Sequence, residues 1–226
     1  MAVELGKRII TSIILFLIAI FCILINKFVF ALLLIATLFI CFNEWRDINY
    51  KYFKKKKNNN WKYFFVQFVG LIYLFIFLST SIALRGNNSE SILFFIIILC
   101  ICIFSDIGGY VFGKAIGGKK LTKISPNKTI AGSLGSFIFS LLPLLSFNLQ
   151  NYTGVSFEVL SINIALCLVV SLFCQLGDLL ISYFKRLNKV KDTGTILPGH
   201  GGLLDRIDGL IFAIPTVYIL KITQIF

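Results

Sequence analysis

Residues 91–112 read SILFFIIILCICIFSDIGGYVF, and from Ile92 to Phe104 the only side chains that are not hydrocarbon are two cysteines. The run shows neither the period of two of a half-buried strand nor the stripe of an amphipathic helix, so no face is kept for water. A helix of about 20 such residues crosses a hydrocarbon core roughly 30 Å thick. Six further runs have the same character: Ile9–Leu24, Phe28–Phe42, Tyr63–Leu84, Ile130–Phe147, Phe157–Leu176 and Ile207–Ile222. The first two are short and joined tightly through Asn26 and Lys27, which leaves room for a different tilt or partial insertion. Composition agrees, since 58% of the 226 residues are hydrophobic and 24 Phe stand against 10 acidic residues, where soluble domains hold about 45–50% apolar residues. These features exclude an ordinary water-soluble fold. They predict an all-α, polytopic membrane protein with about seven transmembrane helices.

The formal net charge of +12 is carried by short clusters between apolar runs, where Lys and Arg set topology and meet anionic headgroups. Membrane lipid is therefore the expected partner of that charge, and nucleic acid is not. With the N-terminus inside, nineteen of the 22 Lys and Arg fall in inside segments, at Lys7 and Arg8, Arg46 to Lys62, Lys114 to Lys128, and Lys185 to Arg206. Only Lys27, Arg85 and Lys221 remain for the other side. The N-terminal MAVELGKR and its apolar sequel look like a signal peptide, but no small-x-small cleavage site follows, so the segment reads as a retained first span. The low-complexity KKKKNNN of Lys54 to Asn60 reads as a topology-fixing loop, with a lipid sensor as the alternative. Six cysteines lie in or beside apolar runs with no C-x-x-C pair, which argues against a disulfide framework or a zinc site.

The chemistry concentrates in two polar islands. Ser182 to Asp208 reads SYFKRLNKVKDTGTILPGHGGLLDRID, with Asp178 just upstream in QLGD. Asp205 and Asp208 are three apart, on one face of a helix. Two close carboxylates suit a hard cation such as Mg²⁺, completed by substrate phosphates and served by the neighbouring Lys and Arg; the alternative is a cap at a helix N-terminus. Pro198-Gly199-His200-Gly201-Gly202 either offers backbone N–H groups to phosphate oxygens or is a plain turn. His200, the single histidine, reads as a positioning or hydrogen-bonding residue before a general base. The second island, Ser105 to Thr129, opens with Asp106 inside or at the edge of a span, where an acid is a functional candidate unless it is merely paired with a Lys. Its Gly117, Gly118, Ser125, Pro126, Lys128 and Thr129 form a loop with phosphate-binding chemistry but no P-loop pattern.

The string S-x-x-K-R, four residues, K-D, five residues, P-G-H-G-G-x-x-D-R-x-D resembles the signature of the phosphatidate cytidylyltransferases, or CDP-diacylglycerol synthases. It is carried by Ser182, Lys185, Arg186, Lys191, Asp192, Pro198 to Gly202, Asp205, Arg206 and Asp208. The likeness extends to Gly177-Asp178, Asp106, Tyr110, Ser125-Pro126-x-Lys128-Thr129 and Gly132, and more weakly to Arg8, Glu44-Trp45 and Arg85. Asn127, Ala131 and Ile181 stand where the family commonly has Lys, Glu and Glu. The resemblance implies a single transmembrane catalytic domain over 1–226, with the signature at 178–208, that converts CTP and phosphatidate to CDP-diacylglycerol and pyrophosphate. It implies Asp178, Asp205 and Asp208 as ligands of Mg²⁺ (or Mn²⁺), with His200 beside them. Ser125, Lys128, Lys185, Arg186, Lys191 and Arg206 would meet substrate phosphates, Gly201 and Gly202 would allow backbone contact, and Asp106 would complete the metal site or orient a lysine. A homodimer in the bacterial inner membrane, its site facing the cytoplasm, is part of the same expectation. A transporter would instead spread polar residues through several spans, and the multi-aspartate motifs of other membrane phosphotransferases are absent.

Overall fold

The computed structural model of the chain describes residues 2–55, 60–122, 125, 128–144, 157–197 and 201–224. Among the described residues seven helices fall on the apolar runs: α1 (Ala2–Ile25), α2 (Lys27–Lys55), α3 (Asn60–Arg85), α4 (Ser89–Ala115), α5 (Ile130–Phe139), α6 (Phe157–Leu187) and α7 (Leu204–Ile222). No strand occurs among the described residues, only the isolated bridges Lys120–Thr129 and Leu197–Gly201. Four stretches are long and apolar enough to cross a membrane: Lys27–Tyr50, Asn60–Arg85, Ser89–Ala115 and Asn163–Leu187. Ile13–Ile25 and Ile130–Leu144 are shorter apolar helices, and α7 opens on Asp205, Arg206 and Asp208. The end of the expected run Ile130–Phe147 lies outside the described residues. Large apolar side chains face outward along the helices, with Phe28 and Phe39 of α2 and Phe64 and Phe75 of α3 all exposed. In a lipid solvent that outward face meets its own kind. The fold is that of an all-α, multi-pass membrane protein.

Contacts divide the chain into two compact units, one of residues 1–92 and 183–208, the other of residues 93–182 and 209–226. In the first, α2 packs on α1 and α3. Asn26 makes the tight α1–α2 corner, its Oδ1 accepting the Val29 N–H at 2.8 Å as a cap. The guanidinium of Arg85, buried at the end of α3, donates through Nε and Nη2 to the Ile23 carbonyl at 3.0 and 2.6 Å. A cation thus satisfies an orphan carbonyl at the negative end of α1. Trp45 locks α2 to α3 by donating Nε1–H to the Val66 carbonyl at 3.3 Å, and its indole fills the space that any side chain at Gly70 would need. The end of α6 turns through Lys189 at φ 56, with Val190 N–H bonded to the Lys185 carbonyl and Lys189 N–H to that of Arg186. That pair of bonds defines a Schellman stop.

In the second unit, α4 and α5 cross through small residues. A Cβ on Gly108 would overlap the Gly135 carbonyl, one on Gly135 would overlap the Gly108 carbonyl and Phe112, and one on Gly132 would press on the Gly109 carbonyl. Such close backbone approach is how helices associate where lipid removes the hydrophobic drive between them. Polar contacts add to it. Ser105 Oγ lies 2.8 Å from Ser171 Oγ, Gln175 Nε2 donates to Ser171 Oγ at 3.3 Å, and Ser133 Oγ donates to Gln175 Oε1 at 2.5 Å. This ladder ties α4, α5 and α6 together.

Candidate active site

A polar cavity of about 340 Å³ opens within the second unit. From α4 it receives Asp106, Gly109 and Tyr110; from α6, Gln175 and Asp178; from α5, Gly132, Ser133 and Ser136; and from the connection before α5, Leu121, Ser125, Lys128 and Thr129. Helical spacing explains the α6 pair, since residues three apart share a face. The connection is shaped by Gly117 and Gly118 at φ 64 and 91, a left-handed conformation that other residues adopt at a cost. It then folds back on itself through Leu121 N–H to the Lys128 carbonyl at 2.8 Å and Ile130 N–H to the Lys119 carbonyl at 3.0 Å. Thr129 caps α5, its Oγ1 accepting the Gly132 N–H at 3.0 Å. The positive end of α5 and the Lys128 ammonium therefore serve one cavity, an arrangement suited to an anion.

Lys128 forms an ion pair with Asp178, with about a quarter of the lysine side chain and a third of the aspartate exposed. Asp178 also accepts from Ser182 Oγ at 3.3 Å, and Asp106 accepts a weak bond from the Cys174 thiol at 3.7 Å. Two acids and one lysine thus line one cavity of an apolar chain.

The first unit holds the signature residues. Asp205 Oδ1 accepts from Lys185 Nζ at 2.7 Å, and both side chains are nearly buried, at 12% and 6% exposed. Asp205 Oδ2 accepts from Thr193 N–H at 2.7 Å and from Gly202 N–H at 3.3 Å, and lies 3.0 Å from Thr193 Oγ1. Lys185, expected among the phosphate-neutralising cations, thus gives its ammonium to Asp205. The Asp205 carboxylate does not cap the first amides of α7; Glu44 of α2 takes those. Gly202 is buried, and a side chain there would overlap Thr193 and Glu44. Arg186, Lys191 and Arg206 are exposed, and Asp208 is half-buried. Leu197 and Gly201 exchange two backbone bonds, at 3.0 and 3.2 Å, so the chain enters and leaves Pro198–Gly199–His200 at one point. Those three residues, with Pro126 and Asn127, lie outside the described ones.

Among the described residues no group of three His, Cys, Asp or Glu stands together as a metal site. Asp106 and Asp178 supply hard oxygen donors to the cavity in the small number that suits Mg²⁺, which takes its remaining ligands from water and phosphate. The donor set therefore fits a cation that arrives with its substrate. Expected residues fall in two groups, Asp106, Ser125, Lys128 and Asp178 in the second unit, and Lys185, Arg186, Lys191, Gly201, Gly202, Arg206, Asp205 and Asp208 in the first. Reading the sequence left out Gln175, Ser133, Ser136 and Thr193. Gln175 was findable as an amide three residues before Asp178 in an otherwise apolar helix; the two serines and Thr193 carry no such signal.

Fold and cavity together define a multi-pass membrane protein with a charged pocket among its helices. The profile of the cytidylyltransferase family matches residues 48–223, and the chain belongs to that family. It is similar to the phosphatidate cytidylyltransferases of Staphylococcus aureus, Staphylococcus epidermidis and Staphylococcus saprophyticus, with 40%, 42% and 37% identity over 159 residues. The aligned stretch is 70% of this chain and 56% of each relative, so the chain spans little more than half the length of these curated relatives.

Proposed function

We propose that this chain transfers a cytidylyl group from CTP to phosphatidate, giving CDP-diacylglycerol and pyrophosphate. The observation that carries the reading is the cavity joining Lys128, Asp178, Asp106 and the capped start of α5 within an apolar chain, and family membership supports it. A lipid phosphomonoester is already anionic near neutral pH, with a second ionisation near about 6. Its oxygen attacks the α-phosphorus of CTP, a P–O–P bond forms, and the bond from that phosphorus to the β-phosphate oxygen breaks, pyrophosphate leaving with the electron pair. No strong base is required, so catalysis rests on placing the partners and neutralising charge.

Lys128 and the positive end of α5 draw in phosphate oxygens, and Ser125 and Ser136 add hydroxyl donors. Asp178 and Asp106 would hold Mg²⁺ or Mn²⁺, which would supply charge neutralisation for the triphosphate. Arg186, Lys191, Arg206 and Asp208 belong to the signature segment and are assigned to substrate phosphates and their counter-charge. The Lys and Arg distribution supports a cytoplasmic face for the 46–62, 114–128 and 185–206 segments, in a bacterial cytoplasmic membrane. Incubating the purified protein with labelled CTP, phosphatidate vesicles and Mg²⁺ tests the proposal. Label in CDP-diacylglycerol is expected, and its absence with added metal and both substrates overturns the reading.

A further inference from the structure

Glu44 is 4% exposed and lies within Lys27–Tyr50, a stretch apolar enough to cross a membrane. A buried acid in such a helix is costly unless donors converge on it. Here they do. Leu203 N–H donates to Oε1 at 2.9 Å, Leu204 N–H to Oε2 at 2.9 Å, and the Thr193 hydroxyl lies 2.9 Å from Oε2. Leu204 opens α7, so the carboxylate occupies the positive end of that helix, where first-turn amides have no partner of their own. Space is shaped to match, because a Cβ on Gly194 or on Gly202 would run into the Glu44 carboxylate. Thr193 is within reach of Asp205 as well, 3.0 Å from Oδ2, which links Glu44 to the Asp205–Lys185 pair.

We propose that Glu44 is a positioning residue of the signature loop: its carboxylate clamps Thr193 and the first amides of α7, and so fixes the aim of Arg206 and Asp208. The proposal rests on the cytidylyltransferase reading only for what the clamped loop does. Glu44 touches no reacting atom in this arrangement; it acts through the backbone at 203–204. Glutamine cannot replace it, because one end of the amide would set an N–H₂ against a backbone N–H. Asp205 then serves the same clamp from the loop side, with both of its oxygens already accepting from the chain.

The test uses the full chain in detergent, comparing Glu44→Gln, Thr193→Val and Thr193→Ser with the unaltered protein. Hydrogen exchange of the peptide spanning 201–206 is expected to accelerate roughly tenfold or more in Glu44→Gln and Thr193→Val while peptides of α3 keep their rates. Thr193→Ser, which restores the hydroxyl, is expected to return exchange to within about threefold of the unaltered rate. In the activity arm, Thr193→Val should lower kcat about tenfold or more with KM for CTP changed less than about threefold, as loss of positioning requires. Unchanged exchange at 201–206, equal acceleration in α3, or failure of Thr193→Ser to restore would each overturn the clamp. If the unaltered protein fails to incorporate CTP, the functional reading falls, and the exchange arm still decides the role of Glu44.

Discussion

Lys128 and Asp178 show what one ion pair does in a wet cavity. Each is partly exposed, so the pair adds little to stability, and under the proposed function its value would lie in keeping a cation and a carboxylate ready for a phosphate and its metal. Asp178→Asn is expected to cut turnover by about a hundredfold and raise the Mg²⁺ concentration needed for half-maximal rate, leaving expression unchanged. A metal titration of CTP incorporation reads both effects, and a normal titration would remove Asp178 from the metal site. Gln67 is the opposite case, an amide buried in α3 whose Oε1 and Nε2 have no hydrogen-bond partner among the described residues. Replacing an unsatisfied buried group with an apolar one of similar volume removes a desolvation penalty of about 1–3 kcal/mol. Gln67→Leu should therefore raise the melting temperature in detergent, and a fall would mean the amide has a partner. Ionisable side chains were legible in the sequence because charge stands out in an apolar chain, as at Asp106, Asp178 and Lys128. Their pairing was not. Asp205 reads in sequence as a metal ligand or a helix cap, and only the folded loop shows it held by Lys185, Thr193 and Gly202.

At the scale of elements, apolar runs marked all seven helices, but their ends moved wherever polar residues continue the turn. α2 runs on to Lys55 and α6 to Leu187, because Lys and Arg are good helix formers and hydropathy ends before helicity does. The α4–α5 crossing was partly visible, since Gly108, Gly109 and Gly113 permit close packing; that Gly132 and Gly135 oppose them needed three dimensions. Gly135→Val would force the Gly108 carbonyl and Phe112 apart, and overpacking of this kind costs about 1–3 kcal/mol. We expect a lower melting temperature together with reduced CTP incorporation, because the same crossing sets Ser133 and Ser136 into the cavity. Unaltered melting would show that the helices separate freely. His200→Gln should retain more activity than His200→Ala if the imidazole donates a hydrogen bond, and side-by-side rate measurements decide it. Equal loss in both would favour proton transfer.

For the whole molecule, the Lys and Arg distribution predicts one orientation. Single cysteines at Lys55, Lys120 and Lys189, introduced after the native cysteines are replaced, should resist an impermeant thiol reagent in intact cells and react in inverted vesicles. Labelling of the third position from outside would overturn the orientation. The two-unit arrangement had no sequence signal, because the first unit is discontinuous in the chain: it leaves off at Ile92 and resumes at Tyr183. No composition shift or linker marks that return.

The reach of Glu44 to Leu204, across 160 positions of sequence, carries a consequence for how the protein is made. A ribosome adding about 5–20 residues per second needs roughly ten to thirty seconds to deliver the second half of that contact. Throughout the interval α2 must be handed to the bilayer with an acid that none of its eventual donors has yet met. Until then the Glu44 carboxylate lacks the donors at Thr193, Leu203 and Leu204 that satisfy it in the folded chain. The first unit can be completed only after residues 93–182 of the second have been synthesised.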